Sequence, residues 1–107
     1  MINAAGFKVW PTEVEGELYH HPSIKEACVV GVPDPVRIEN VRAYVVLKDE
    51  FKGKTGPEEI ITWAKGRMAA YKYPKEVLFV DELPKTATGK LNWRFLQEQA
   101  KQGKTGI

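Results

Sequence analysis

The fold of this chain is decided by two apolar stretches, Ala27-Cys28-Val29-Val30-Gly31-Val32 and residues 41–47. Both stretches are short and rich in β-branched residues, which is typical of buried β-strands. The turn-forming sequence Pro33-Asp34-Pro35 lies between them. Because no helical pattern separates the two strands, we expect them to pair antiparallel.

The residues before these strands predict a strand followed by a helix. Residues 6–10 alternate apolar and polar side chains, as a half-exposed strand does. Pro11 suits the first position of a helix, where its missing N–H costs nothing, and Val14 and Leu18 repeat at helical spacing. We expect His20-His21-Pro22 to close this helix, because the residue before a proline avoids the helical conformation.

The residues after the strands predict a helix, a strand and a second helix. The first helix is expected from residue 57 to about residue 71, with Pro57 at its first position and Pro74 beyond its end. Residues 77–80 form a short apolar run typical of a strand. The last helix is expected from residue 91 to about residue 101, with its inward face formed by Leu91, Phe95 and Leu96.

This order of elements predicts an α+β domain in which a small, largely antiparallel sheet is covered by about three helices. The chain has 107 residues, the size of one ordinary domain. We expect residues 1–101 to form that domain and residues 102–107 to be a disordered tail.

The composition excludes several classes of protein. Hydrophobic residues make up 43% and charged residues 28%, a balance typical of a globular domain. No apolar run approaches the roughly 20 residues that span a bilayer, and the N-terminus lacks the pattern of a secretory signal. A net charge of +2 is lower than the dense basic stripe of a nucleic-acid-binding domain. The single cysteine, Cys28, suits a reducing compartment, so we expect a cytoplasmic protein.

Two groups of residues could suggest chemistry that the sequence does not support. A phosphate-binding P-loop needs a glycine five places before the glycine of its Gly-Lys pair. The chain has three Gly-Lys pairs, and those positions hold Lys48, Pro84 and Glu98. The adjacent His20 and His21 point in different directions on a helix and cannot easily share a metal ion, so no metal site is expected.

The loop Pro84-Lys85-Thr86-Ala87-Thr88-Gly89-Lys90 is the most distinctive segment. It begins with a rigid proline and ends with a lysine beside a glycine, and Thr88 is positioned to cap the following helix. A lysine held in such a loop presents a point charge to a phosphate or oxyanion oxygen. The residues alone leave two interpretations open, an ordinary surface loop and a site of this kind.

The same loop matches the C-terminal signature Pro-Lys-Thr-x-x-Gly-Lys of adenylate-forming enzymes, which include acyl-CoA synthetases, peptide synthetase adenylation domains and luciferases. Residues 5–15 resemble the family segment Ser-Gly-aromatic-x-Val-x-Pro-x-Glu-Val-Glu. Residues 21–35 resemble His-Pro-x-Val-x-Glu-Ala-Ala-Val-Val-Gly-x-Pro-Asp, and residues 71–74 resemble Tyr-Lys-x-Pro. Two departures are Ala5, where serine is common, and Asn92-Trp93-Arg94, where a Leu/Gln-Arg-Arg pattern is usual.

The resemblance implies the small C-terminal lid of an AMP-forming acid:CoA ligase. Such an enzyme joins a carboxylic acid to AMP and then transfers the acyl group to a thiol, and the lid rotates between the two steps. The resemblance makes Lys90 the catalytic residue of the first step, with Thr88 and Gly89 supporting its loop. It places Gly6, Phe7 and Lys8 on the CoA side in the second step, together with Lys65.

The resemblance also implies cofactors and partners. ATP with Mg²⁺, and CoA, would be bound mainly by or with a large N-terminal adenylation domain, whose glycine-rich ATP loop this sequence does not contain. The fragment alone is therefore expected to be inactive. A lysine acyltransferase acting on Lys90 is a further expected partner. Two alternatives stay open: a lid that loads a carrier protein instead of CoA, and a non-catalytic interaction domain.

Overall fold

The computed structural model of this chain describes residues 2–4, 6–35 and 38–101. Five strands are formed: β1 (Ile2–Ala4), β2 (Phe7–Val9), β3 (Ile24–Asp34), β4 (Ile38–Leu47) and β5 (Glu76–Phe79). The helices are α1 (Pro11–Leu18), α2 (Pro57–Lys65) and α3 (Trp93–Lys101), with a short 3-10 helix at Asp49–Phe51. The predicted α+β class, with a small sheet covered by helices, is confirmed.

Strand β4 is the centre of the sheet. On one side it pairs antiparallel with β3 along its whole length, from Ile24↔Leu47 to Asp34↔Ile38. On its other side, β1 pairs antiparallel with its first residue and β5 runs parallel beside residues 42–45. Strand β2 pairs antiparallel with β1 and forms the outer edge. The antiparallel pairing expected of the two apolar stretches is therefore confirmed.

Side chains alternate between the two faces of the sheet, and each face has its own hydrophobic core. The first core packs under α1 and α2 and contains alternate residues of β3 and β4, including Ala27, Val29, Val41, Ala43 and Val45. The second core contains the strand residues in between, including Cys28, Val30, Tyr44 and Val46, together with Leu96 of α3, which covers this face. Because both faces are covered, the two central strands are apolar along their length rather than alternating.

The outer edge of β3 is closed by side chains rather than by another strand. The Ala27 N–H donates to the Tyr19 hydroxyl at 3.1 Å, and the Val29 N–H donates to Oε2 of Glu15 at 2.7 Å. The Gly31 N–H and C=O both bond the side-chain amide of Gln97, at 3.3 and 2.7 Å. These bonds satisfy backbone groups that would otherwise be open to another strand.

Two helix boundaries differ from the sequence prediction. Helix α2 ends at Lys65 rather than near residue 71, because Gly66 follows and residues 66–73 turn back over α1. Ion pairs of Arg67 with Glu17 and of Lys72 with Glu13 hold these turns in place. Helix α1 likewise ends at Leu18, before the two histidines.

The first residue and the inner face of the last helix also differ from the sequence prediction. Leu91 pairs with Lys85 in an isolated β-bridge, so α3 begins at Trp93. Asn92 caps this helix, because its Oδ1 accepts the Phe95 N–H at 3.2 Å, and the expected cap Thr88 lies elsewhere. Leu96 is fully buried and Leu91 is partly buried, but Phe95 is 38% exposed and does not face the core.

Two further observations concern the ends and the helices. The expected disordered tail, residues 102–107, lies outside the described residues. Among the helices that the structure does describe, none has the length and apolar character needed to cross a membrane.

Candidate functional site

The Lys90 hairpin, residues 85–91, is a tight turn built around Gly89. The Gly89 N–H donates to the Thr86 carbonyl at 2.9 Å, and the Thr86 N–H donates to the Lys90 carbonyl at 2.7 Å. Gly89 has a φ of +83°, in the left-handed region that L side chains rarely adopt. This arrangement is that of a three-residue hairpin loop with a left-handed residue at its end. It explains why a glycine must directly precede Lys90.

The base of this hairpin is held by the second core. Leu83 is buried, Leu91 packs against the same core, and the Asn92 N–H donates to the Pro84 carbonyl at 2.8 Å. The hydroxyls of Thr86 and Thr88 lie 3.0 Å apart across the turn. The Thr88 hydroxyl thus makes its contact within the turn, and Thr88 does not cap α3.

The two lysines of the hairpin have different environments. Lys85 Nζ lies 3.0 Å from Oε1 of Glu26 on β3, so its charge is paired. Lys90 is exposed, and its ammonium group takes part in none of the ion pairs formed among residues 2–4, 6–35 and 38–101. Lys90 is therefore the lysine of this loop that can meet an external anion.

The Gly6 hairpin, formed by β1 and β2, carries the residues expected on the CoA side. Gly6 has a φ of +90°, and its N–H donates to Oδ1 of Asn3 at 2.9 Å. A Cβ at this position would meet no atom within 4 Å, so the backbone conformation explains the glycine within this domain. Phe7 and Lys8 follow on β2, and both are exposed.

The Gly6 hairpin is anchored to the segment after α2. The ring of Phe7 stacks on that of Tyr71, with centroids 4.5 Å apart and planes inclined by 16°. The next residue, Lys72, pairs with Glu13 on α1 and lies over the Tyr71 ring. The structure thus brings residues 5–15 and 71–74, which both resemble family segments, into contact. The Lys85–Glu26 ion pair likewise joins residues 84–90 to residues 21–35.

The bases of the two hairpins border one cavity of about 340 Å³. Trp10 and Pro11, which follow β2, line it together with Leu91 and Trp93, which follow Lys90. Both tryptophans are more than half exposed, at 55% and 53%. Lys65 lies apart from this arrangement, exposed in the last turn of α2.

His21 and Cys28 are both buried. His21 is 7% exposed, and its Nδ1 accepts the Ser23 N–H at 3.1 Å and bonds the Ser23 hydroxyl at 2.8 Å. Burial lowers the pKa of His21, while Glu59 opposes this effect. Cys28 is fully buried, and burial raises the pKa of its thiol to about 12, so it is no nucleophile. Within the described ranges, no group of three His, Cys, Asp or Glu residues could hold a metal ion.

The contacts that hold the hairpins were not predicted from the sequence. Glu26, Glu13 and Tyr71 all lie in segments that resemble the family, but their partners are distant along the chain. The presence of lysine and glutamate residues in separate motifs indicates that ion pairs between motifs are possible. The sequence does not show which lysine pairs with which glutamate.

The chain is similar in sequence to one described protein family and to several known enzymes. Residues 13–90 match the family described as AMP-binding enzyme C-terminal domain. A long-chain-fatty-acid–CoA ligase of Bacillus subtilis is 48% identical over 99 residues, which cover 92% of this chain and 17% of the ligase. The human mitochondrial acyl-coenzyme A synthetase ACSM1 is 43% identical over 102 residues, which cover 92% of this chain and 18% of the synthetase.

A solved structure shares the same fold. The amide bond synthetase McbA from Marinactinospora thermotolerans matches with a TM-score of 0.84 and 31% identity, over 94% of this chain and 20% of that one. The chain thus spans about a fifth of the length of the proteins that it matches.

Proposed function

Because this chain belongs to the AMP-binding enzyme C-terminal domain family, we propose that it is the mobile lid of an AMP-forming acid:CoA ligase. Lys90 is its catalytic residue in acyl-adenylate formation. The observation that carries this proposal is the contrast within one hairpin, where Lys85 is paired with Glu26 and Lys90 is exposed. The large N-terminal domain, which accounts for the rest of the relatives' length, is the partner that binds ATP and the acid.

In the first step, a carboxylate oxygen of the acid attacks the α-phosphorus of ATP and pyrophosphate leaves. Two anions must approach each other, and a fixed cation between them offsets their repulsion and the charge that develops. The Lys90 ammonium supplies that cation at the end of a turn fixed by Gly89. Mg²⁺ would be bound together with ATP on the large domain.

In the second step, the thiol sulfur of CoA attacks the acyl carbonyl and AMP leaves. The Gly6 hairpin faces the reaction centre after the lid rotates. Gly6 lets the pantetheine arm approach the backbone, since it has no side chain and open space around it. Phe7 contacts the arm, and the exposed Lys8 and Lys65 meet CoA phosphates.

The test separates the two steps in the full-length ligase. Lys90→Ala is expected to slow acyl-adenylate formation by at least about 10²-fold, because it removes a fixed charge from the transition state. Thioester formation from supplied acyl-adenylate should be largely unchanged. Equal losses in both half-reactions would instead indicate a folding role for Lys90.

Lys54→Ala is the matched control for this test. Lys54 is also exposed and also follows a glycine of positive φ, Gly53 at +78°, but its loop lies before α2. The control should leave both half-reactions unchanged. The isolated 107-residue chain should form no acyl-adenylate at all, since the proposal places the ATP and acid sites on the large domain.

A second candidate function differs from the first in the thiol that accepts the acyl group. The names of the two ligases above favour CoA, whereas a domain of the same fold also occurs in an amide bond synthetase. The alternative function is a lid that loads a carrier protein. Thioester assays of the full-length enzyme with CoA and with a phosphopantetheinylated carrier protein distinguish the two, and turnover with CoA alone supports our proposal.

Lys90 is also the proposed target of a lysine acyltransferase. Its exposure makes it accessible, and acylation would remove the charge that adenylation needs. Full-length enzyme carrying acetyl-Lys at position 90 should be as slow in adenylation as Lys90→Ala, and an unchanged rate would contradict this switch. We propose a cytoplasmic location, although the human relative named above is mitochondrial.

A further inference from the structure

We propose that Lys85 is a positioning residue, which acts through its ion pair with Glu26 to fix the Lys90 hairpin on the sheet for the adenylation step. This inference rests on the proposed function of Lys90. In this proposal Lys85 positions the hairpin, whereas Lys90 acts on the substrate. Lys85 touches no substrate, and its effect reaches the reaction through the backbone of the turn.

The ion pair joins two parts of the fold that are distant in sequence. Lys85 Nζ lies 3.0 Å from Oε1 of Glu26, and the two residues are 59 positions apart. Glu26 belongs to β3 and pairs with Val46 of β4, next to a register irregularity between Ile24 and Glu26. The ion pair therefore ties the hairpin to a strand that is paired with the central strand of the sheet.

The connection from Lys85 to Lys90 is short. Lys85 forms a β-bridge with Leu91, the neighbour of Lys90. The next residue, Thr86, donates its N–H to the Lys90 carbonyl at 2.7 Å. A shift of the Lys85 backbone is thus transmitted to the Lys90 backbone through one bridge and one hydrogen bond.

The rest of the hairpin offers little alternative support. Residues 85–90 are all exposed, whereas the buried contacts of Leu83 and Leu91 lie at the base. Within the part of the chain that the structure describes, Lys85–Glu26 is the salt bridge that connects this exposed turn to the sheet. Loss of the pair should leave the turn attached but let it tilt about its base.

The expected size of the effect follows from exposure. The side chains of Lys85 and Glu26 are 40% and 34% exposed, so solvent weakens their attraction. In the full-length ligase, Lys85→Ala should lower kcat for acyl-adenylate formation by about two- to fivefold, with KM for ATP unchanged. Lys85→Arg should retain the rate, and thioester formation from supplied acyl-adenylate should not change in either variant.

The control is Lys52→Ala, which removes a lysine–carboxylate pair of similar kind, Lys52 with Asp49 at 3.3 Å, far from the hairpin in sequence. This variant should adenylate at the parent rate. An equal loss in Lys52→Ala and Lys85→Ala would overturn the inference, because loss of any surface ion pair would then suffice.

Charge reversal separates positioning from direct contact with substrate. Lys85→Glu and Glu26→Lys should each slow adenylation, and the double variant should recover most of the parent rate. If the double variant stays as slow as Lys85→Glu, Lys85 acts on substrate itself and the inference is wrong. If Lys90→Ala adenylates normally, the proposed function fails, whereas a normal Lys85→Ala beside an inactive Lys90→Ala overturns this inference alone.

Amide hydrogen exchange on the 107-residue chain gives a readout that needs no activity. Lys85→Ala should speed exchange of the Thr86 N–H, which bonds the Lys90 carbonyl, by about two- to fivefold. Exchange within the β3–β4 ladder should not change. Unchanged exchange at Thr86 would contradict the claim that the ion pair orders the turn.

Discussion

The Gly6 hairpin and the Lys90 hairpin are built alike but anchored differently. Each turns on a glycine of positive φ, at +90° and +83°, and each is followed by an exposed lysine, Lys8 or Lys90. The Gly6 hairpin is part of the sheet and stacks through Phe7 on Tyr71. The Lys90 hairpin lies outside the sheet, and its base packs on the second core. The Lys85–Glu26 ion pair connects this hairpin to the sheet.

This difference matches the proposed division of labour. The hairpin that would line a passage for CoA is part of the sheet, and its Phe7 stacks on Tyr71. The hairpin that would deliver one charge is small and exposed, and its position depends on a few polar contacts. One small domain can thus present two different surfaces, because each surface has its own core on its own face of the sheet.

The largest expected effect concerns the foundation of the Lys90 hairpin. Leu96 is fully buried in the second core beside Leu83. Leu96→Ala should lower the free energy of unfolding by about 2–5 kcal/mol, because it removes buried methyl groups and leaves a cavity. Urea denaturation measures this loss. The neighbouring Phe95→Ala, at a position 38% exposed, should cost much less, and equal losses would contradict the assigned inner face of α3.

The two turn glycines should respond alike. Gly6→Ala and Gly89→Ala should each lower the free energy of unfolding by about 1–2 kcal/mol, because alanine is strained at positive φ. Neither new Cβ would meet an atom within 4 Å, so the loss is conformational rather than steric. Gly16→Ala, in the exposed part of α1, should instead stabilise the chain by about 0.5–1 kcal/mol. A stabilising Gly89→Ala would exclude the proposed turn.

A third residue of positive φ sharpens the comparison. Ile38 has a φ of +72°, is 62% exposed and pairs with Ala4 beside the Gly6 hairpin. A β-branched residue is strained in this region. Ile38→Gly should therefore raise the free energy of unfolding by about 1 kcal/mol. A destabilised Ile38→Gly would show that the isoleucine side chain contributes contacts that outweigh the strain.

The smallest effect is a dependence on pH that is confined to the α1–α2 face. His21 packs edge-on against Trp63 of α2, and burial lowers its pKa below the ordinary value of 6.5. The unfolded chain therefore binds the proton more readily. The stability due to neutral His21 is full above pH 6.5 and is lost as the pH falls towards the lowered pKa.

The measurement is the free energy of unfolding at pH 7.5 and pH 5.5. His21→Asn keeps an acceptor for the Ser23 N–H but does not titrate, so it should lose part of the difference, by less than about 1 kcal/mol. On the opposite face, Cys28→Ala should leave this pH dependence unchanged, because the pKa of its thiol is about 12. An unchanged slope in His21→Asn would contradict the lowered pKa.

The sequence was sufficient for elements whose signals are local. The two apolar stretches predicted β3 and β4 and their antiparallel pairing, and the spacing of Val14 and Leu18 placed α1 on the core. The resemblance singled out Lys90, and the structure adds why Gly89 must precede it. These predictions depended on neighbouring residues, which the sequence shows directly.

The rest depended on contacts between distant residues. Helix α2 ends early because the segment after it is held by Arg67–Glu17, Lys72–Glu13 and Phe7–Tyr71. The parallel pairing of β5 with β4 depends on how the chain crosses the sheet. The roles of Glu26 and Lys85 could not be predicted, since a surface pattern of charges does not reveal which carboxylate each lysine will meet.

The central claim is that the two hairpins serve separate half-reactions, and one paired measurement tests it most directly. Acyl-adenylate formation and its conversion to the thioester should be followed in single turnovers of the full-length ligase carrying Lys90→Ala or Gly6→Ala. The account predicts that Lys90→Ala fails in the first step and Gly6→Ala in the second, each sparing the other step. Proportionate losses of both steps in both variants would contradict it.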